Sequence, residues 1–294
     1  MRRTEGIAVG KVDQFESVFR AASKAVFTYR PVAVRSVLVV TDLGEHEAAA
    51  LGNQLEDFLR VLRSDGEPRW RVLHGGEFAT VPELLALVEA ERPDLICTYR
   101  HLHSQSWKWP YTLGEYVVVL TQVTKTPVVV LPHPNARRAS EHALEHTATV
   151  MAMTDHLTGD DRLVNWAVRF TQPGGTLFLT HVEDESVFTR YMDAISKIPT
   201  IETEPAREEI LNRLMREPQD YIRSCRETLE EAGLPLTVES LVTVGRHLRE
   251  YKRLVEQHTV DLLVFNTKDA DQLAMHGLAY PLAIELGQIP LLML

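Results

Sequence analysis

The chain alternates short apolar runs with longer amphipathic stretches, and this rhythm predicts its elements. Val34–Thr41 (VRSVLVVT) is an apolar run of strand length that closes on Asp42. From Leu43 to Arg63, Leu51, Leu55, Phe58, Leu59 and Leu62 recur at helical spacing, which predicts a helix. Trp70–His74 predicts a second strand, Val81–Glu91 a helix, Pro93–Tyr99 a buried strand, and Thr126–Leu131 a last strand entered at Pro127. The pattern then starts again. Val150–Thr154 is a strand closing on Asp155, followed by a helix around Asp161–Thr171 and a strand at Thr176–His181. A long helical region runs from about Pro205 to Glu231, with a break expected at Pro218. Strand Leu236–Val244, helix Leu248–Gln257, buried run Val260–Asn266 and strand Ile289–Leu294 complete the second pass.

Strands alternating with helices in this way predict an α/β fold with a doubly wound parallel sheet. The two passes predict a tandem repeat. Asp94 to Pro127 is 33 positions and Asp261 to Pro290 is 29, a difference of loop size. The first pass carries four strand runs and the second five, so the first repeat is shortened. Val72-Leu73-His74-Gly75 is taken as the counterpart of Val242-Thr243-Val244-Gly245, because a helix and an Asp-Leu strand follow both. The predicted organisation is an N-terminal extension at 1–33, a shortened domain at 34–132, a polar linker at 133–147 and a complete domain at 148–294. In the extension, Phe15, Val18, Phe19, Ala22, Val26 and Phe27 share a helical face, which suits packing on the body or on a partner chain.

Composition narrows the function classes. A length of 294 residues suits two domains, and 45% hydrophobic with 24% charged residues is globular composition. The net charge of −10 is uneven: residues 1–140 hold 17 basic and 16 acidic side chains, residues 141–294 hold 14 and 25. That balance argues against nucleic-acid binding, which needs a basic face. No run approaches the roughly 18 apolar residues of a membrane helix. The N-terminal residues show no apolar run of signal length, so a soluble cytoplasmic protein is expected. Cys97 and Cys225 give no disulfide framework and are expected as buried thiols.

Candidate chemistry is sparse. His142 and His146 would share a face if that segment were helical, but a zinc site needs further ligands, so no metal is expected. His101 and His103 would point the same way on an extended strand. No Gly-x-Ser-x-Gly occurs and neither cysteine has a catalytic context, so an enzyme is not the favoured class. Trp107-Lys108-Trp109-Pro110-Tyr111 offers aromatic rings either to stack on a planar ligand or to fill the gap left by the missing strand.

Four features resemble the universal stress protein family in a tandem form. They are the strands closing on Thr41-Asp42 and Thr154-Asp155, the strand end His181-Val182-Glu183, the Val242–Gly245 run followed by Asp261-Leu262-Leu263-Val264, and the proline-led last strands. The resemblance implies an adenine nucleotide alpha hydrolase-like fold, with a crevice at the carboxyl ends of the strands. It makes Asp42, Asp155, Gly245, Asn266 and Gly277 the candidate crevice residues, the two aspartates serving either as ligand contacts or as caps of the following helix.

ATP-binding members of the family carry Gly-x-x-Gly-x9-Gly-[Ser/Thr] after the fourth strand. Here the first two glycines are absent, Asp269 and Asp271 stand in the phosphate region, and Leu278 replaces the hydroxyl residue after Gly277. In the first half Gly114 matches the last glycine and Glu115 follows it. The expectation is a stress-response or regulatory binding protein that does not depend on ATP and carries no cofactor. The alternatives are an adenine-nucleotide binder with weak ATPase activity, with ATP as ligand, and a metal- or small-molecule-responsive regulator. The family also implies that the two last strands pair within the chain as a pseudo-dimer. A homodimer is expected beyond that, with a protein partner left open and no contact with nucleic acid or membrane.

Overall fold

The computed structural model describes residues 25–108, 111–135, 139–140, 142–154, 157–267 and 279–294. Its strands are β1 (Ser36–Val40), β2 (Arg69–Leu73), β3 (Leu95–Tyr99), β4 (Val128–Leu131), β5 (Thr149–Met153), β6 (Thr176–Asp184), β7 (Thr237–Gly245), β8 (Leu262–Phe265) and β9 (Leu291–Met293). They form one sheet in the order β2-β1-β3-β4-β9-β8-β5-β6-β7. Every neighbouring pair is parallel except β4 and β9, which pair antiparallel with Val128, Val129 and Val130 opposite Met293, Leu292 and Leu291. The central strands are apolar on both faces because helices cover both.

The helices are α1 (Glu45–Phe58), α2 (Val81–Glu91), α3 (Glu115–Val123), α4 (Asp161–Phe170), α5 (Glu185–Ile195), α6 (Thr203–Glu231), α7 (His247–Gln257) and α8 (Ala279–Glu285). Their starts follow side-chain chemistry. Thr80 and Glu83 form a capping box at α2, Asp160 caps α4 through Leu163 N–H, and Asp184 caps α5 through the Ser186 and Val187 N–H groups. Among the described residues no helix is long and apolar enough to cross a membrane. Both cysteines are buried and free.

The repeated Asp-Leu pair has a structural explanation. The Asp94 carboxylate accepts from the backbone N–H of Arg35 and Ser36 at 2.8 and 3.1 Å, and that of Asp261 accepts from Thr149 N–H at 2.7 Å. Each aspartate thus ties the foot of its strand to the foot of the neighbouring first strand. His146 joins the second of these, 3.0 Å from Asp261, while His142 contacts the Val260 carbonyl at 3.3 Å. The two histidines therefore have separate protein partners, and His142 lies in a turn and His146 just after it, neither in a helix.

Four sequence expectations are corrected. The helix expected to break at Pro218 is continuous from Thr203 to Glu231; Pro218, Tyr221, Ile222, Cys225 and Leu229 are buried, and that packing outweighs the lost hydrogen bond. His101 and His103 are not on a strand but in a turn after β3, with φ of 62° and 54°, and one is buried while the other is exposed. β2 pairs with β1 as β6 pairs with β5, so by position it replaces β6, and it is β7 that has no counterpart. β6 also runs three residues further than expected, through Asp184, and α5 was not foreseen. The helix expected in the N-terminal extension falls mostly outside the described residues; Phe27 is buried against Tyr221 of α6.

Two buried arginines bind the halves to each other on either side of the antiparallel seam. Arg100, following β3, donates to the carbonyls of Ala283 and Ile284 at the end of α8. Arg169 of α4 donates to the carbonyls of Val61 and Leu62 at 2.9 and 2.8 Å, to Ser64 Oγ at 3.0 Å, and pairs with Asp65. Each places positive charge where carbonyls converge at a helix end. Replacing Arg169 with Ala leaves buried carbonyls without donors, so urea denaturation is expected to show a loss of about 3 kcal/mol, with Lys recovering part of it. An unchanged denaturation midpoint would contradict this role.

Candidate functional site

In a doubly wound sheet the crevice lies at the carboxyl ends of the strands, where the strand order reverses. This chain has two such points, between β1 and β3 and between β5 and β8. Asp42 follows β1 and Tyr99 ends β3, so they face each other across the first. The Tyr99 hydroxyl donates to the Asp42 carboxylate and accepts from the Asp42 backbone N–H at 3.2 Å. The second carboxylate oxygen of Asp42 accepts from His103 N–H at 2.8 Å. Asp42 therefore does not cap α1, whose N-cap is Gly44 with no side-chain bond.

Rings surround this bridge. His133 lies edge-on to Tyr99 with centroids 5.0 Å apart, and Phe78, His103 and Tyr116 pack together at 4.9 to 5.7 Å. The Tyr116 hydroxyl is anchored on the Ala79 carbonyl at 2.8 Å. Gly114 has φ of 84°, and a Cβ there would fall 2.7 Å from His101 N, so this glycine serves a close backbone approach. Of the aromatic insert, Tyr111 is exposed and plugs nothing; Trp109 and Pro110 lie outside the described residues.

The second reversal point is bridged in a parallel way. Asn266, after β8, donates its side-chain N–H to Asp160 at 2.5 Å, while the other Asp160 oxygen caps α4. Tyr99 stands five residues after Asp94, and Asn266 five after Asp261, so the two bridging residues share one offset from an Asp-Leu pair. Asp155 and Gly277, together with Asp269, Asp271 and Leu278, lie outside the described residues. Gly245 sits away from this bridge, at the end of β7, where a Cβ would fall 2.5 Å from the Glu250 side chain. The structure thus brings Asn266 to the second crevice and Asp42 to the first.

Sequence reasoning missed Asp160, Tyr99 and His133. Asp160 was legible as a helix cap in Gly159-Asp160-Asp161, and Tyr99 through its match to Asn266. The linker residue His133 gave no signal, because its place depends on how the chain leaves β4.

Burial governs the electrostatics. It pushes the Tyr99 hydroxyl well above the ordinary tyrosine value, with Asp42 adding to the effect. It also raises Asp160, against the opposing hydrogen bonds from Leu163 and Asn266. His101 is lowered by burial and by Arg100, and His133 is lowered by burial to about 4. Among the described residues no group of three or more His, Cys, Asp or Glu side chains is arranged to hold a metal.

No family model and no curated protein sequence matches the chain. Solved structures do. A putative universal stress protein from Pseudomonas aeruginosa UCBPP-PA14 is similar at 14% identity and a TM-score of 0.47, covering 89% of this chain and 93% of that one. A universal stress protein from Archaeoglobus fulgidus is similar at 12% identity and a TM-score of 0.45, over 89% and 98%. A functionally unknown protein from Pseudomonas aeruginosa PAO1 is similar at 15% identity and a TM-score of 0.46, over 89% and 92%.

The lowered histidines set an acid limb. His133 is held neutral in the folded chain, so its stability contribution is complete above the ordinary histidine value of about 6.5. That contribution is lost as pH falls toward about 4, by up to about 3 kcal/mol. Urea midpoints measured across that window should fall, and His133→Asn should flatten the fall. A wild-type midpoint independent of pH there would contradict the assignment.

Proposed function

We propose that the chain is a universal stress protein-like binding protein that acts in stress response or regulation without depending on ATP. In this reading residues 34–132 and 148–294 are two copies of one domain, joined as an intramolecular pseudo-dimer through β4 and β9. Residues 133–147 link them, and two chains associate into a homodimer. The observation that carries the reading is the pair of matched bridges, Tyr99 to Asp42 and Asn266 to Asp160. Each lies across a reversal point and consumes the polar groups that a ligand there would need. The altered glycine pattern after β8 and Asp269 and Asp271 support it, since phosphate is drawn to backbone amides and positive charge.

A second reading, an adenine-nucleotide binder with weak ATPase activity, is favoured by one feature. Arg162, in the first turn of α4, interacts with Asp160 and puts a cation beside the second crevice. Titration of the purified chain with ATP and magnesium in a calorimeter separates the two, after mass spectrometry of small molecules released on denaturation. The proposed function predicts no released nucleotide and no heat of binding up to about millimolar ATP. Saturable binding in the micromolar range would overturn it in favour of the second.

A further inference from the structure

The sheet ends in two outer edges, β2 and β7. Arg69 N–H donates to the Arg35 carbonyl and Thr41 N–H to the Leu73 carbonyl, so Arg69, Arg71 and Leu73 face β1. Trp70 and Val72 then turn their backbone groups outward. On the other side Thr237 N–H donates to the Gly175 carbonyl, so Val238, Ser240, Val242 and Val244 turn theirs outward from β7. Edges of this kind invite another strand. Within the chain itself two of them, β4 and β9, have joined antiparallel.

On each outer edge an arginine occupies an outward carbonyl. Arg71 Nη1 donates to the Val72 carbonyl at 2.8 Å, and its Nη2 is held by Glu77. Arg226 of α6 donates both Nε and Nη2 to the Val238 carbonyl, at 3.1 and 2.7 Å. Arg226 shares a cleft of about 420 Å³ with Glu230 and Glu239, yet two of its donors go to a neutral carbonyl. Arg71 lines a cleft of about 310 Å³ between α1 and β2 that also holds Glu45 and Glu56.

We propose that Arg71 and Arg226 are edge guards, autoinhibitory contacts that stop the outer strands of one chain from pairing with those of a second copy. An incoming strand must donate N–H groups to the outward carbonyls. The guanidinium already holds a lone pair of that oxygen, so an incoming N–H must displace the arginine or find room beside it. The guarded carbonyls, Val72 and Val238, lie one on each edge, so one device protects both ends of the sheet.

Sedimentation velocity over a hundredfold range of protein concentration tests this, with circular dichroism to confirm folding. R226A and R71A are each expected to self-associate at least tenfold more strongly than wild type, and the double variant more strongly still. R226M keeps the apolar stem of the side chain and should behave like R226A. A proline at Ser240 removes an outward N–H without breaking the ladder to β6, so R226A/S240P should return to wild-type sedimentation. Folded single variants that sediment as wild type would overturn the proposal. So would association of R226A that S240P leaves unchanged.

Discussion

The antiparallel register of three residue pairs between β4 and β9 decides the architecture. Without them each half would expose the backbone of its last strand, four residues in β4 and three in β9, all buried and apolar. An apolar strand left at an edge in this way is open to pairing with another chain. The antiparallel pairing supplies the missing neighbour from within the chain and makes one continuous core out of two. It also brings the end of β3 within reach of α8, and α4 within reach of the short helix at Arg60–Asp65, which is where Arg100 and Arg169 act. The arginines are consequences of the seam: each satisfies carbonyls of the opposite half that the joining has buried.

The same geometry shapes the crevices. Joining the halves through their last strands leaves both reversal points on the interior of the sheet, flanked by strands on either side. In each, the residue closing the strand after the Asp-Leu pair reaches across to a carboxylate. Tyr99 and Asn266 differ in chemistry but share a position and a consequence, which is that the carboxylate is already engaged. In the first half the closure is deeper, because His133 and the cluster of Phe78, His103 and Tyr116 add bulk around the bridge. The first reversal point is therefore packed closed by its own rings.

The strand and helix order was legible because period and punctuation were strong. Val81–Glu91 was bounded correctly, and the Asp-Leu starts located β3 and β8. Tertiary packing overrode local rules where the reading failed: Pro218 stays inside α6 because its neighbours are buried, and β2 takes the place of β6 because sheet position is set by pairing partners, not by the order of elements. The site was less legible. Asp42 was found, but its partner was not, since Tyr99 looks like one more apolar residue until the fold sets its hydroxyl beside a carboxylate. Asp160 was missed: one of its oxygens caps α4 and the other holds Asn266, and the second contact depends on the fold.

The central claim is that each reversal point is closed by a bridge between side chains, not merely by proximity. Double-mutant cycles in urea denaturation measure this directly, pairing Asp160→Ala with Asn266→Ala and Asp42→Ala with Tyr99→Phe. The account predicts a coupling of about 1–2 kcal/mol in each pair, as expected when a charged acceptor and its donor are removed together. Effects that add to within about 0.3 kcal/mol in both cycles would contradict it.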